Sequence, residues 1–230
     1  VRALTVHGTD LRHPRTRLAT RAVLARMDIV AAVSRPLADE LPARAAKRAH
    51  VLPCGVDVAR FRPLSRAQAR AELGLDPQRP YLLLPADPAR AEKRHDRALA
   101  LARTLDVELL ALGGVAPARV PLWVNAANAV LVPSDSEGFG LGVLEALACD
   151  VPVLATPVGI HPEALANVAG TLCAPFELDR WRAAVVPHVH SDDPRVRGRA
   201  SAMRFSATSM AELVARAWRA ALQHRPVGGG

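Results

Sequence analysis

The stretch SDSEGFGLGVLEALACDVPVLAT (134–156) sets two carboxylates, Glu137 and Glu145, around three alternating glycines, Gly138, Gly140 and Gly142. An apolar run, AVLVPS (129–134), leads into it, and VPVLAT (151–156) closes it. The pattern reads as strand, loop, helix and strand, with the helix opening inside GFGLG. The first amides of a helix lack intrahelical acceptors and sit at the positive end of its dipole. That opening therefore favours an anion such as a pyrophosphate. Absent side chains at the three glycines let a ligand come close to the backbone. Glu145, about two turns into the helix, can accept paired hydrogen bonds from a ribose diol. Glu137, at the mouth, can reach a sugar hydroxyl. The plainer reading of the same spacing is a Gly-rich loop with a solvated Glu137 and a capping Ser136. A dinucleotide fingerprint fits less well, because Val143 stands where the third glycine of G-x-G-x-x-G belongs. A Walker loop is excluded, since no G-K-[ST] follows.

The elements that must hold these residues alternate along the chain. RALTVHG (2–8), DIVAAVS (28–34) and AHVLP (49–53) read as strands. RTRLATRAVLARM (15–27) reads as a basic amphipathic helix between the first two, and Ser34 caps another with Pro36 in its first turn. Residues 54–64 form a connector, and SRAQARAELGL (65–75) is a capped helix ending at Gly74. A second series starts at YLLLPA (81–86). It continues through helix 92–104, strand 107–113, a short helix near 122–127, strand 129–134, the Glu145 helix and strand 151–156. A helix near 162–167, a strand at 170–175 and a terminal helix at 209–223 complete it, with PVGGG as a frayed tail. Alternating βα units with apolar strands predict an α/β fold with parallel sheets covered on both faces.

With 230 residues, half of them hydrophobic, the chain can bury a sizeable core as one large domain or two small ones. No apolar run reaches the roughly 18–20 residues needed to span a bilayer, and no signal peptide opens the chain. The three cysteines, Cys54, Cys149 and Cys173, form no CxxC pair, so a cytoplasmic location is expected. No metal-ligating cluster is visible and no cofactor is expected, although a loosely held Mg²⁺ is compatible with the pattern. The net charge of +8 is uneven: residues 1–50 hold ten Lys/Arg against four Asp/Glu, and residues 51–190 hold 13 against 15. Nearly all of the surplus is arginine; the lysines are Lys47 and Lys93. Arg12, Arg15, Arg17, Arg21 and Arg26 crowd one segment that could meet anionic lipid at the inner membrane face, or be a solvated helix face. Aromatics are 3% of the chain, so no base-stacking platform supports nucleic-acid binding.

SEGFGLGVLEALACDVPVLATPVGIHPE closely resembles the donor-site segment of the retaining glycosyltransferases of family four, which have the GT-B fold. Their signature is two glutamates with seven residues between them, as at Glu137 and Glu145. DIVAAVSRPLADEL, VLPCGVDVARFRP and VPLWVNAANAVLVPS resemble other segments of that family in the same order. The match covers roughly residues 5–175, and the last helix resembles the segment that crosses back to the first domain. The resemblance implies a GT-B-like chain: residues 1–52 as the remnant of an acceptor-side Rossmann-like domain, and residues 53–230 as a nucleotide-sugar-binding Rossmann-like domain with a terminal cross-over helix.

The resemblance also assigns roles. Glu145 would bind the ribose hydroxyls and Glu137 the donor sugar, and the loop Gly138, Phe139, Gly140 and Leu141 would hold phosphates and sugar through its amides. Lys93, in ARAEKRHD, matches a lysine that neutralises the diphosphate; its alternative is a solvated charge at a helix start. The accompanying arginine is absent at its usual place, where Pro88 stands, so Arg90 takes the role with Arg94 in reserve. Fixed cations there would stabilise the charge gained by the leaving diphosphate. His7, in VHGTD, is a candidate contact to the sugar, with Asp10 on the same face. His161, in a turn where the family more often shows a second glycine, reads as a surface residue.

The expected activity is transfer of a sugar, with retention, from a nucleotide sugar to a glycan, lipid-linked or small-molecule acceptor. Most of the first domain has no counterpart in the chain, and transfer needs donor and acceptor held together in a closed cleft. The alternative is therefore a non-catalytic nucleotide-sugar-binding module, or a remnant that needs a partner chain.

Overall fold

A computed structural model of the chain describes residues 1–223. The expected tail PVGGG lies outside the described residues. The chain divides into two compact units, Val56–Arg204 and a second made of Val1–Gly55 with the chain from Phe205 onward.

The N-terminal segment runs β1 (Ala3–Val6), α1 (Thr9–Arg12), α2 (Pro14–Leu24), β2 (Ile29–Ala32), α3 (Arg35–Asp39), α4 (Ala43–Ala46) and β3 (His50–Val51). Its three strands are parallel in the order β1-β2-β3, with Ala3 opposite Ile29 and Ala31 opposite His50. β2 is buried throughout, as its unbroken apolar sequence requires of a central parallel strand. α2 starts with Pro14 at its first position and His13 as its cap, accepting from the Arg15 amide at 3.3 Å.

The larger unit contains α5 (Arg66–Leu73), β4 (Tyr81–Leu84), a 3-10 turn at Ala91–Lys93, α6 (His95–Thr104) and β5 (Glu108–Ala111). It continues with a second 3-10 turn at Pro117–Arg119, α7 (Val120–Ala126), β6 (Ala129–Val132), α8 (Leu141–Ala148) and β7 (Val153–Ala155). α9 (His161–Leu165), β8 (Leu172–Cys173), α10 (Leu178–Val189) and α11 (Arg199–Arg204) complete it. As expected, Ser65 caps α5 and Gly74 ends it in the left-handed conformation. The strands are parallel in the order β5-β4-β6-β7-β8. β4 and β6 lie side by side while the chain leaves them in opposite directions along the sheet. A doubly wound sheet places its ligand crevice at such a switch point, beyond the carboxyl ends of the strands.

The core of this unit is Leu82, Leu84, Leu131 and Leu154 from the sheet, Leu101 from α6, and Trp181 and Val185 from α10. α10 falls in a stretch to which the sequence reading assigns no element. Pro187 lies near the helix end, and Trp181, fully buried, donates from its indole nitrogen to Pro175 O at 3.1 Å. α12 (Ala207–Gln223) is the terminal helix, expected to cross back to the first domain; it groups with the N-terminal segment, where Met210 Sδ accepts from the Gly55 amide at 3.2 Å.

Candidate functional site

The two loops that leave β4 and β6 meet at the switch point. Asp135 N–H donates to Glu92 O at 2.9 Å, tying one loop to the other. Beside that bond, Lys93 Nζ donates to both oxygens of Glu137, at 2.8 and 2.6 Å. Their side chains are only 14% and 9% exposed, so neither is the solvated charge that the plainer readings allowed. Ser134 Oγ donates to Glu137 Oε1 at 2.7 Å. Ser134 in turn is fixed by Thr156, whose hydroxyl donates to Ser134 O at 2.6 Å. The carboxylate at the mouth is thus set by groups from three loops that sequence spacing alone does not relate.

Gly140 is the N-cap of α8, at φ 108° and ψ 49°. A Cβ there would lie 2.5 Å from His161 Nε2, and one at Gly142 would lie 3.0 Å from Pro85 Cγ. The space left by these two glycines is used to bring His161 and the end of β4 against the helix. Gly140→Ala should therefore lower stability by about 1–3 kcal/mol from backbone strain alone, read as a lower urea midpoint, with the steric clash adding to it. Ile160 N–H donates to Phe139 O at 2.8 Å, holding the loop against α9. Phe139 is buried and Leu141 partly exposed.

Glu145 lies one face deeper on α8. Burial raises its pKa above the usual carboxylate range, partly offset by Arg60. Its carboxylate has no hydrogen-bond partner among the described residues. The far end of α8 is covered by cations. Arg195 donates to Cys149 O at 3.0 Å and Arg199 to Ala148 O at 2.7 Å, and both also hold connector carbonyls, Leu64 O and Val58 O. These contacts satisfy C-terminal carbonyls at the negative end of the dipole. Part of the basic surplus is therefore structural, a role no local spacing signals.

Arg90 is not drawn to Lys93 or Glu137. It pairs with Glu92 at 2.6 Å and is 59% exposed. Arg94 spans Asp96 and Asp135. His161 corrects the sequence expectation: it is fully buried, with Nδ1 2.8 Å from Thr156 O, because the chain reverses at Gly159 and turns the ring beneath the Gly140 loop. His7 and Asp10 lie in the unit of β1, where Asp10 accepts from the His7 amide at 2.6 Å. No group of three or more metal-ligating side chains is gathered among the described residues. No helix among them is long and apolar enough to cross a membrane.

Parallel strands, a switch point between β4 and β6, and a helix mouth flanked by lysine and glutamate define a Rossmann-like domain of the GT-B type. Residues 89–199 match the family described as glycosyl transferases group 1, and the chain carries a domain of that family. Among curated relatives, a D-inositol 3-phosphate glycosyltransferase of Segniliparus rotundus is 34% identical over 214 residues, covering 75% of this chain and 47% of the relative. Another, from Catenulispora acidiphila, is 32% identical over 251 residues, covering 90% and 59%. The chain spans about half the length of the curated relatives it matches. Two solved structures share the fold. Sucrose-phosphate synthase from Thermosynechococcus elongatus has a TM-score of 0.72 at 22% identity, covering 97% of this chain and 68% of that one. Anabaena Alr3699/HepE, solved in complex with UDP-glucose, has a TM-score of 0.73 at 16% identity, covering 95% and 72%.

Proposed function

We propose that the β4–β8 unit is the donor-binding part of a retaining glycosyltransferase that takes a nucleotide sugar. The observation that carries this reading is the Lys93–Glu137 pair at the switch point, with the unpartnered Glu145 further along the same helix. The diphosphate takes the loop amides of Phe139, Gly140 and Leu141. Glu145 accepts from the ribose diol. Lys93 turns from Glu137 to the diphosphate and neutralises the charge it gains on leaving, which frees Glu137 for a hydroxyl of the sugar. Arg90 can follow, since its exposed pair with Glu92 is weakly held. His7 remains a candidate for the sugar side. The reading includes no resident metal or cofactor.

The acceptor is a glycan, a lipid or a small metabolite, and the name of the relatives makes an inositol phosphate the first to try. Because the chain spans about half of those relatives, a donor-binding module without turnover of its own is the second reading. Donor binding without transfer to any acceptor would favour it. A thermal-shift titration with UDP, GDP, ADP and TDP tests the donor site. A ligand at a hundred times its dissociation constant adds about 2.7 kcal/mol, or roughly 5–10 °C for a chain of this size. One base should give that shift, and none doing so would refute the reading.

Peripheral contact with anionic lipid is the further part of the proposal. Leu18, 71% exposed, stands on α2 among exposed Arg15, Arg17 and Arg21. Cosedimentation with phosphatidylserine vesicles should exceed that with phosphatidylcholine and be lost on Arg15→Glu, Arg17→Glu and Arg21→Glu together. Binding that survives the triple change would sink the membrane contact.

A further inference from the structure

His161 opens α9 and is fully buried. Its Nδ1 lies 2.8 Å from Thr156 O. A carbonyl oxygen only accepts, so Nδ1 carries the proton and Nε2 bears the lone pair. That Nε2 is buried with no hydrogen-bond partner. It faces Gly140, close enough that a Cβ there would stand 2.5 Å away. A buried acceptor without a donor is uncommon and needs an explanation. Here it lies under the loop whose amides open α8. The ring is not free to turn away, since Thr156 is itself pinned through its hydroxyl to Val132 O and Ser134 O.

Burial holds the ring below its ordinary value, against the Thr156 carbonyl and Glu137, which favour the imidazolium, while Lys93 opposes it. The other charged or titratable groups on the elements packed against α9 are engaged or neutral. Arg199 of α11 holds Val58 O, Phe61 O and Ala148 O. Arg204 of α11 donates to Glu163 O of α9 itself, where the Glu163 side chain is exposed. Burial favours the neutral forms of the Cys173 thiol on β8 and of Glu145 on α8. Asp135 in the loop is held by Arg94 and Arg97.

A docking diphosphate shifts the surroundings of the ring in one direction. It brings negative charge to the Gly140 loop and draws Lys93, whose charge opposes the imidazolium, away from its ion pair with Glu137. We infer that His161 takes up a proton when a nucleoside diphosphate group docks at the N-terminus of α8, its Nε2 lone pair becoming a second N–H donor beneath the loop. The proton comes from solvent, and no bond in the ligand changes. The inference rests on the proposed donor site. It makes His161 a positioning residue whose charge is created by the ligand it helps to hold.

The test is isothermal titration calorimetry with UDP-glucose, and with GDP-, ADP- and TDP-glucose in the same panel. The diphosphate diesters of these donors do not titrate near neutrality. Runs at pH 7.5 in buffers of different ionisation enthalpy should show uptake approaching one proton, and affinity should fall by up to tenfold per pH unit as pH rises. His161→Asn keeps an amide nitrogen for Thr156 O but has no base, so its binding should show neither uptake nor that slope. In the wild-type chain, the His161 ring resonances should move from the neutral to the imidazolium range at saturation. Binding without uptake, uptake that persists in His161→Asn, or a ring that stays neutral at saturation would overturn the inference and leave the donor site standing. No binding of any nucleotide sugar by the folded chain would overturn the donor site and this inference together.

Discussion

Glu145→Ala should abolish the nucleotide-induced rise in melting temperature while leaving the chain folded. A bidentate contact from a diol to a buried carboxylate has no substitute on α8, and hydrogen bonds to charged groups contribute about 1.5–3 kcal/mol each. Losing two of them moves the dissociation constant by at least about a hundredfold. The same residue should show the opposite effect on the free protein. Burial raises the folded-state pKa of Glu145, so folding binds a proton that the unfolded chain releases. Stability is therefore highest below the ordinary glutamate value and declines as pH rises through the raised folded one. Glu145→Gln removes that decline. Its melting temperature should match wild type in acid and exceed it at neutral pH. A Gln variant less stable than wild type at pH 7 would show that the carboxylate has a partner in the fold after all.

The Lys93–Glu137 pair gives the second large effect. Both side chains are nearly buried and the contact is bidentate. Lys93→Ala removes the ion pair while Ser134 still donates to Glu137, and breaking a buried pair costs about 3–5 kcal/mol. The residual exposure and the Ser134 bond place this pair at the lower end. Adding Glu137→Gln should recover most of the lost stability, because the carboxylate charge that Lys93 balanced is gone. It should not recover nucleotide affinity, because the cation that meets the diphosphate is still missing. Denaturant midpoints and nucleotide titrations on the two single variants and the double separate these roles. Full recovery of both properties in the double variant would mean that Lys93 serves only Glu137.

These effects were partly legible in the sequence. Spacing placed Glu137 and Glu145 at the mouth and inside of one helix, and α8 forms there with Gly140 as its cap. The βα alternation gave the parallel sheets, since uninterrupted runs such as AVLV suit strands buried on both faces. What was not legible depends on contacts far apart in the chain. Lys93 and Glu137 stand 44 residues apart and meet only because β4 and β6 are neighbours in the sheet. Arg195 and Arg199 looked like surplus charge until α8 supplied the carbonyls they cover. His161 looked like a surface turn residue because its polarity was visible and the reversal that buries it was not. α10 was not read from the sequence, although Trp181 and Val185, four apart, carry the helical period.

The central claim is that a nucleotide sugar binds where α8 begins, between the loops after β4 and β6. The most direct measurement is backbone amide chemical-shift mapping of the wild-type chain titrated with the nucleotide that gives the thermal shift. The account predicts the largest perturbations at Phe139, Gly140, Leu141, Glu145 and Lys93, saturating with one dissociation constant. Saturable perturbations centred on other residues, with these five unmoved, would contradict it.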